Sequence, residues 1–512
     1  MNSSVKTLAS ELEKEVAEKE RLIAENERLR HRILLLEKAL FGPRSERLLS
    51  DPEGQQLFDQ LLRDVQGLNE QLQENEKELH PRAEPKSKRR KKRGLQDLIP
   101  DDLPEERVVV DVPAEEKVCP ETGEPLRRIG EDRVRKLAFK PGGYYVKVFV
   151  YPKYAAPEKA LQGVQRAPAP DFAVPGGRFD ESFLAHVLVE KGAYHMPLYR
   201  QQEKLASAGV EISRQTLSKL YMQGAEALSP VFEEMKKNVL ARDVIFTDDT
   251  PVRLQVKGKR KTITGRMWVY VGGGKGPPYR IFEFTVDRSK KRPMEFLGNF
   301  KGYIHADAYK GYDKLFQREG VHECGCWMHV RRKFREAEDA PKQLRMEIIR
   351  LINGIYRYER ALKSKDDDTI VSVRRERIRP LIDRIFDRTR RALTEGEVLP
   401  SSSFAKAAAY MHNLGDALKV FLTDARLKPD NGASERALRP LTIGRKNWLF
   451  AGSKRGGDGT GIILSLIQSC RAMGIEPFTY LEDVLRRING HNSNRVAELL
   501  PHNWEPAENY YS

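Results

Sequence analysis

Cysteine is scarce in this chain: four in 512 residues, Cys119, Cys324, Cys326 and Cys470. That is too few for a disulfide framework and excludes the small, cross-linked secreted folds. Long apolar runs are missing as well. The longest, Gly461 to Ile467, falls far short of the ~20 residues a membrane-spanning helix needs. The polar N-terminus has no apolar signal core, so the sequence predicts a cytoplasmic protein without membrane contact. Hydrophobic residues make up 39% of the chain and charged ones 32%. That mixture is lean for one compact globule, so part of the chain is expected to be solvated helix or linker. What is in excess is positive charge: 90 Lys and Arg against 74 Asp and Glu, a net +16. The balance favours a polyanionic partner, nucleic acid first. At ~150 residues per domain, the length implies about three or four domains.

Heptad periodicity runs through residues 5 to 40. Val5, Leu12, Asn26, Ile33 and Leu40 occupy one seam position, and Leu8, Leu22, Leu29 and Leu36 the other. This spacing predicts a dimeric coiled coil, with Asn26 at an a position fixing register. Glu15 and Lys19 weaken the first half. The alternative is an amphipathic helix folded back on a second one, Gln55 to Leu79. A basic run follows: Lys86, Lys88, Arg89, Arg90, Lys91, Lys92 and Arg93. A block of that density does not fold alone and reads as a phosphate-binding arm or a solvated tail. Residues 107 to 157 read as short strands, and Pro157 to Gly177 as a linker. From 179 to 240 the pattern is helical. One helix opens at Pro197 and ends near Gly209; Ser213 caps a second, Arg214 to Met222, with Gln215, Ser218 and Lys219 on its polar face. Helix, Gly-containing turn and helix make a helix-turn-helix string, which an ordinary helical hairpin also gives.

The texture then changes. Asp243 to Thr247, Gly265 to Gly272 and Tyr279 to Thr285 predict a three-strand meander, Pro293 to Asn299 a short helix, and Gly302 to Ala306 a fourth strand. Residues 330 to 425 are basic and helical. The β-β-β-α-β order resembles the start of a ribonuclease-H-like domain. In that order the first and fourth strands are neighbours, so Asp248 and Asp307, each ending one of them, would meet at one sheet edge. Adjacent carboxylates repel and are tolerated when a divalent cation neutralises them. Each aspartate alone also reads as a strand-end turn residue. Spacing does not single out a third acid; Glu435 reads equally as a first-turn glutamate favoured by the helix dipole.

Longer strings add to this. Asp430-Asn431-Gly432-Ala433-Ser434-Glu435-Arg436-Ala437-Leu438-Arg439-Pro440, then Ile443 to Ser453, resemble the transposases of the insertion-sequence 66 family. So do Asp248-Asp249-Thr250-Pro251-Val252, Ala306 to Tyr312, and Cys326-Trp327-Met328-His329 through Phe334. Leu40 to Arg47, Pro197 to Arg200, Ser465 to Ile467 and Gly474 to Leu481 match other parts of that family in order. The resemblance implies a DDE transposase. Its α/β catalytic domain would be ribonuclease-H-like, a mixed sheet carrying a large all-helical insertion. An N-terminal coiled coil, a small β-rich module and a helix-turn-helix domain would precede it. The implied boundaries are 1–80 for the zipper, 81–106 for a basic linker and 107–160 for a degenerate zinc-finger-like β module. They continue with 178–240 for helix-turn-helix, 241–470 for catalysis with an insertion at about 330–425, and 471–512 for a C-terminal segment.

The resemblance also implies Asp248, Asp307 and Glu435 as catalytic residues and ligands of Mg²⁺, with Mn²⁺ as a substitute; Asp249 is the runner-up for the first position. The family's small zinc module carries two cysteine pairs. Here Cys119 stands alone, with Thr122, Ala156 and Lys159 at the other positions. One thiolate cannot make a four-ligand site, so no structural zinc is expected. Cys326 and His329 are expected to support the site rather than bind zinc. Arg331, Arg332, Lys333, Arg445, Lys446 and Trp448 are candidate DNA contacts beside Arg214, Gln215, Lys219 and the basic run. The expected partners are the element's DNA ends, target DNA, a second copy of the chain and small accessory proteins, at the bacterial nucleoid. The competing readings are a catalytically silent repressor derived from a transposase, and a nuclease of the same fold without strand transfer.

Overall fold

The structure is a computed structural model. It describes residues 103–507 apart from 119–123, 141, 156–163 and 259–260, together with scattered helical positions between 21 and 75. The chain divides into two units, Met1–Arg93 and Gly94–Ser512. In the first, the described positions are helical and Asn26 is buried. Most of the zipper seam, the basic run 86–93, Cys119 and its missing zinc partners lie outside the described residues.

The second unit opens with a four-stranded sheet. β1 (Glu105–Val109) runs parallel to β3 (Gly143–Ala155), and β3 pairs antiparallel with β2 (Arg127–Lys140) and with β4 (Gln165–Arg166). Two strands of 14 and 13 residues therefore replace the short strands expected here. The stretch expected as linker contributes β4. Burial explains the miss. The first half of β2 is largely exposed, and its one buried run is Lys136, Leu137 and Ala138, so the sequence has no alternation to read.

Four helices follow: α1 (Glu181–Gly192), α2 (Leu198–Ser207), α3 (Arg214–Ala227) and α4 (Ser229–Leu240). Ser213 caps α3 as expected, its hydroxyl accepting the Thr216 N–H at 3.1 Å. Gly209, at φ +78, makes the turn before it.

The larger sheet has the order β7–β6–β5–β8–β9, formed by β5 (Val244–Leu254), β6 (Ile263–Gly272), β7 (Arg280–Thr285), β8 (Gly302–His305) and β9 (Val321–Cys324). The first three are antiparallel in turn; β8 and β9 run parallel to β5. As read from sequence, the first and fourth strands are neighbours. Between them in the chain lies α5 (Lys291–Leu297). Side chains alternate across the sheet. Ile245, Trp268, Tyr270 and Ile281 face a core shared with α1, α3 and α4. Val244, Phe246, Val269 and Phe282 face a second core. That second core is built from α7 (Trp327–Glu336), α8 (Lys342–Ala361), α10 (Arg379–Thr394) and α11 (Ser403–Asn413), with the short α9 (Asp367–Val373) packed against it, whereas the short α6 (Asp313–Phe316) belongs to the first.

α12 (Gly432–Trp448), β10 (Phe450–Ala451), α13 (Lys454–Ala472) and α14 (Pro477–Arg487) complete the order. α13 lies along the edge strand β7. Ser465 and Ser469 hydroxyls accept the N–H groups of Phe282 and Arg280 at 2.8 and 3.0 Å, which would otherwise be an open sheet edge. A Cβ on Gly461 would stand 2.7 Å from the Phe282 carbonyl oxygen, so the helix approaches this closely only because glycine is there.

Candidate active site

β5 is the strand that builds the site. β8 pairs with it only from Val244 to Phe246, and β10 only at Arg253 and Leu254. Between those stretches, Thr247–Pro251 has β6 on one side and no strand on the other. α12 fills that side. The Asn431 side chain donates to the Thr247 carbonyl at 2.7 Å, and Arg445 donates to Thr250 Oγ1 at 2.8 Å and the Pro251 carbonyl at 2.6 Å. Asn431 occupies the N-cap, but its side chain makes no cap bond; it is spent on β5. Glu435 sits in the first turn of the helix so held.

Strand alternation separates the two adjacent aspartates. Asp249 points to the face of Trp268 and is enclosed by two guanidiniums. Arg288 Nε and Nη2 donate to its Oδ1 at 3.0 and 2.8 Å, and Arg266 Nη1 stands 3.1 Å from Oδ2. Its side chain is 2% exposed, so its charge is already matched. Asp248 has no arginine among its described partners; its Oδ1 accepts the Asp249 N–H at 2.7 Å. Burial pushes the Asp248 carboxyl up to about 7, that N–H opposes the shift, and the negative charges of Asp307, Asp249 and Glu435 add to it. Asp307 follows the end of β8. Burial raises its carboxyl too, against the pull of Arg288, whose Nη2 is 3.7 Å away. Asp248 is thus left without a cationic partner among the described contacts, with Asp307 and Glu435 near enough to add to its shift. Carboxylate oxygens are a donor set that suits a hard divalent cation.

The oxygens of the three acids are not gathered to one point. Among the described residues, the one set of three or more His, Cys, Asp or Glu ligand atoms within 4.8 Å of one another is Cys326, His329 and Glu435. Cys326 stands at the N-cap of α7, where its sulfur accepts the Asn431 N–H at 3.4 Å. His329 Nε2 lies 3.8 Å from Glu435 Oε1.

The candidate DNA contacts divide. Arg214, Gln215 and Lys219 are exposed on α3. They line a groove of about 920 Å³ together with Trp448, Leu449 and Phe450. Lys446 and Arg332 are exposed. Arg331 donates to Asn353 at 2.8 Å, Lys333 lies 4.5 Å from the centre of the Tyr410 ring, and Arg445 ties α12 to β5. These three are therefore engaged within the protein rather than freely presented. Reading the sequence missed Arg266, Arg288 and Asn431. Arg288 could have been suspected from its place in the loop leaving β7; nothing marked the other two.

Comparison with known proteins decides the family. The description "Transposase IS66 family" matches residues 176–459, "IS66 C-terminal element" matches 465–502, and "Transposase C of IS166 homeodomain" matches 28–108. The chain belongs to the IS66 family of transposases. Among its relatives, an uncharacterized protein y4hP of Sinorhizobium fredii is 31% identical over 92% of this chain and 88% of its own length. A second from the same organism, y4qI, is 30% identical over the same shares. IS66 membership makes DNA the partner that the basic balance pointed to. No helix among the described residues is long and apolar enough to cross a membrane.

Proposed function

We propose that this IS66 chain is a DDE transposase that binds the ends of a bacterial insertion sequence, cleaves there, and joins the freed end to target DNA. The observation that carries the reading is the nearness of three acids around β5. Three acids 59 and 128 residues apart in sequence (307 − 248 and 435 − 307) come near enough that Asp307 and Glu435 both raise Asp248. The strand order and directions around β5 support a ribonuclease-H-like catalytic domain spanning about 241–470, with 330–425 as its insertion.

Asp248, Asp307 and Glu435 would hold Mg²⁺, or Mn²⁺ in its place. Bound there, the ion supplies neutralisation of the charge that develops on the phosphoryl oxygens. The chain's own groups do the rest. Arg288 pairs with Asp249 and keeps that acid out of the site. Asn431 and Arg445 fix the helix carrying Glu435. In the reaction, water attacks phosphorus at the element's end, the bond to the 3′-oxygen breaks, and a 3′-hydroxyl is freed. That hydroxyl then attacks a target phosphodiester. We read 178–240 as the end-binding region, with Arg214, Gln215 and Lys219 on its recognition helix. Residues 1–80 serve as a dimerising coiled coil, 81–106 as a basic arm, and 471–512 as the family's C-terminal segment. The protein would act at the nucleoid, with or without accessory proteins.

The test is strand transfer. An end duplex bearing a 3′-hydroxyl, mixed with protein, Mg²⁺ and a target plasmid, is expected to yield joined product. Hydrolysis without joining would leave a nuclease, and end binding with neither reaction would leave a silent DNA-binding protein. Binding itself is expected to weaken steeply with salt, because each phosphate contact releases condensed counterions. Lys219→Ala should reduce the slope of log K against log salt by about 1. A slope unchanged in that variant would remove Lys219 from the interface.

A further inference from the structure

The Cys326, His329 and Glu435 cluster has a donor chemistry unlike that of the three acids. We propose that these side chains form a separate binding site for a zinc-class divalent ion. Cys326 and His329 are three apart at the start of α7 and so share a helix face; Glu435 approaches from the first turn of α12. The two helix starts are joined by the backbone. Trp327 N–H donates to the Pro429 carbonyl at 2.9 Å, and Asn431 N–H to Cys326 Sγ at 3.4 Å. The donors therefore sit on elements that hold each other in place.

A second observation points to a ligand. His329 Nδ1 is buried without a hydrogen-bond partner, and Nε2, at 3.8 Å from Glu435 Oε1, is too far for one. His329 is mostly enclosed, and a buried ring nitrogen left unspent is uncommon in a finished interior. Thiolate, imidazole and carboxylate together are a zinc donor set that leaves one position open, and hard Mg²⁺ does not compete for the sulfur. Around a tetrahedral zinc with bonds of ~2.0–2.3 Å, ligand atoms stand roughly 3.3–3.8 Å apart. The present spread, within 4.8 Å, needs only a small contraction. Binding would release the Cys326 thiol proton to solvent, leaving the sulfur as thiolate on the ion. The site stands without the transposase reading. Its consequence rests on that reading: a Glu435 held by zinc is withdrawn from the acids around β5, so zinc would oppose Mg²⁺-dependent cleavage.

Cobalt(II) added to the full chain tests the site without DNA. The expected result is a thiolate-to-cobalt charge-transfer absorption that zinc displaces, present in Cys119→Ser and Asp248→Ala and lost in Cys326→Ser. His329→Gln keeps the thiol, and should weaken cobalt binding by more than the ~10–100-fold that outer-shell partners cost. It decides the matter should Cys326→Ser misfold. No band in the wild-type chain, a band that survives Cys326→Ser, or unchanged affinity in His329→Gln would overturn the proposal. Because the readout is absorbance, failure of strand transfer with the cobalt band intact would count against the transposase reading alone.

Discussion

Asp248→Asn, Asp307→Asn and Glu435→Gln should each lower end cleavage by on the order of 10³-fold or more, the several kcal/mol a metal site contributes to a phosphoryl transition state, while end binding stays close to wild type. The amides keep the shape of each side chain and remove only its charge. Asp248→Asn should not destabilise the protein, because burial and three neighbouring acids already push that carboxyl towards its neutral form. Asp249→Asn is the control. It strips the partner from Arg266 and Arg288 and should cost about 1–3 kcal/mol of stability, held to that range because both guanidiniums reach solvent. Its cleavage should fall far less than that of Asp248→Asn, though not to zero effect, since Arg288 also approaches Asp307. Gel cleavage assays and thermal melts read both quantities. Near wild-type cutting by any one of the three acid variants would remove that residue. Abolished cutting by Asp249→Asn at unchanged stability would exchange the two aspartates.

The second large effect is expected at a buried arginine of the helical insertion. Arg374 is 1% exposed and lies in a single π-helical turn, Arg374–Ile378, between α9 and α10. Its guanidinium binds Glu359 through Nε and Nη2 at 2.7 and 2.9 Å. It also donates to the carbonyls of Phe421, Asp424 and Leu427 at 2.7, 2.8 and 3.0 Å. Those carbonyls belong to the segment that leads through Pro429 into α12. Arg374→Met should destabilise the chain by about 3–5 kcal/mol, because Glu359 is left as an uncompensated charge beside unpaired carbonyls. Adding Glu359→Met should recover part of the loss by removing that charge. Denaturant titration measures both variants; a single-variant loss below about 1 kcal/mol would show that the segment is held by other contacts.

Legibility from sequence followed the physics of each element. Four strands of the large sheet, β5 to β8, could be read because they are β-branched or aromatic runs whose buried faces leave a trace; β9 and β10, of four and two residues, are too short to leave one. β2 could not, since its exposed half carries Arg127, Arg128, Glu131, Asp132 and Arg133 and is held by pairing with β3 rather than by burial. Strand pattern alone could not order Asp248 and Asp249, which only the family resemblance did, for a similar reason. Adjacent strand residues face opposite ways, and which face holds arginines depends on chain far away. Arg374 sits in a stretch so basic that it reads as solvated surface, although it is the most completely enclosed charge of the insertion. Cys326 and His329 were visible as a spaced pair, but their nearness to Glu435 is a tertiary fact with no local signal.

The two links from α12 to β5 have a mechanical corollary. Asn431 grips the strand just before Asp248, and Arg445 grips it just after. Strand and helix are thereby tied on either flank of Asp248, and the same helix carries Glu435 in its first turn. If the proposed site draws its carboxylates together, the untied partner is Asp307, on the short loop that leaves β8, and the adjustment falls to that loop and to side-chain torsions.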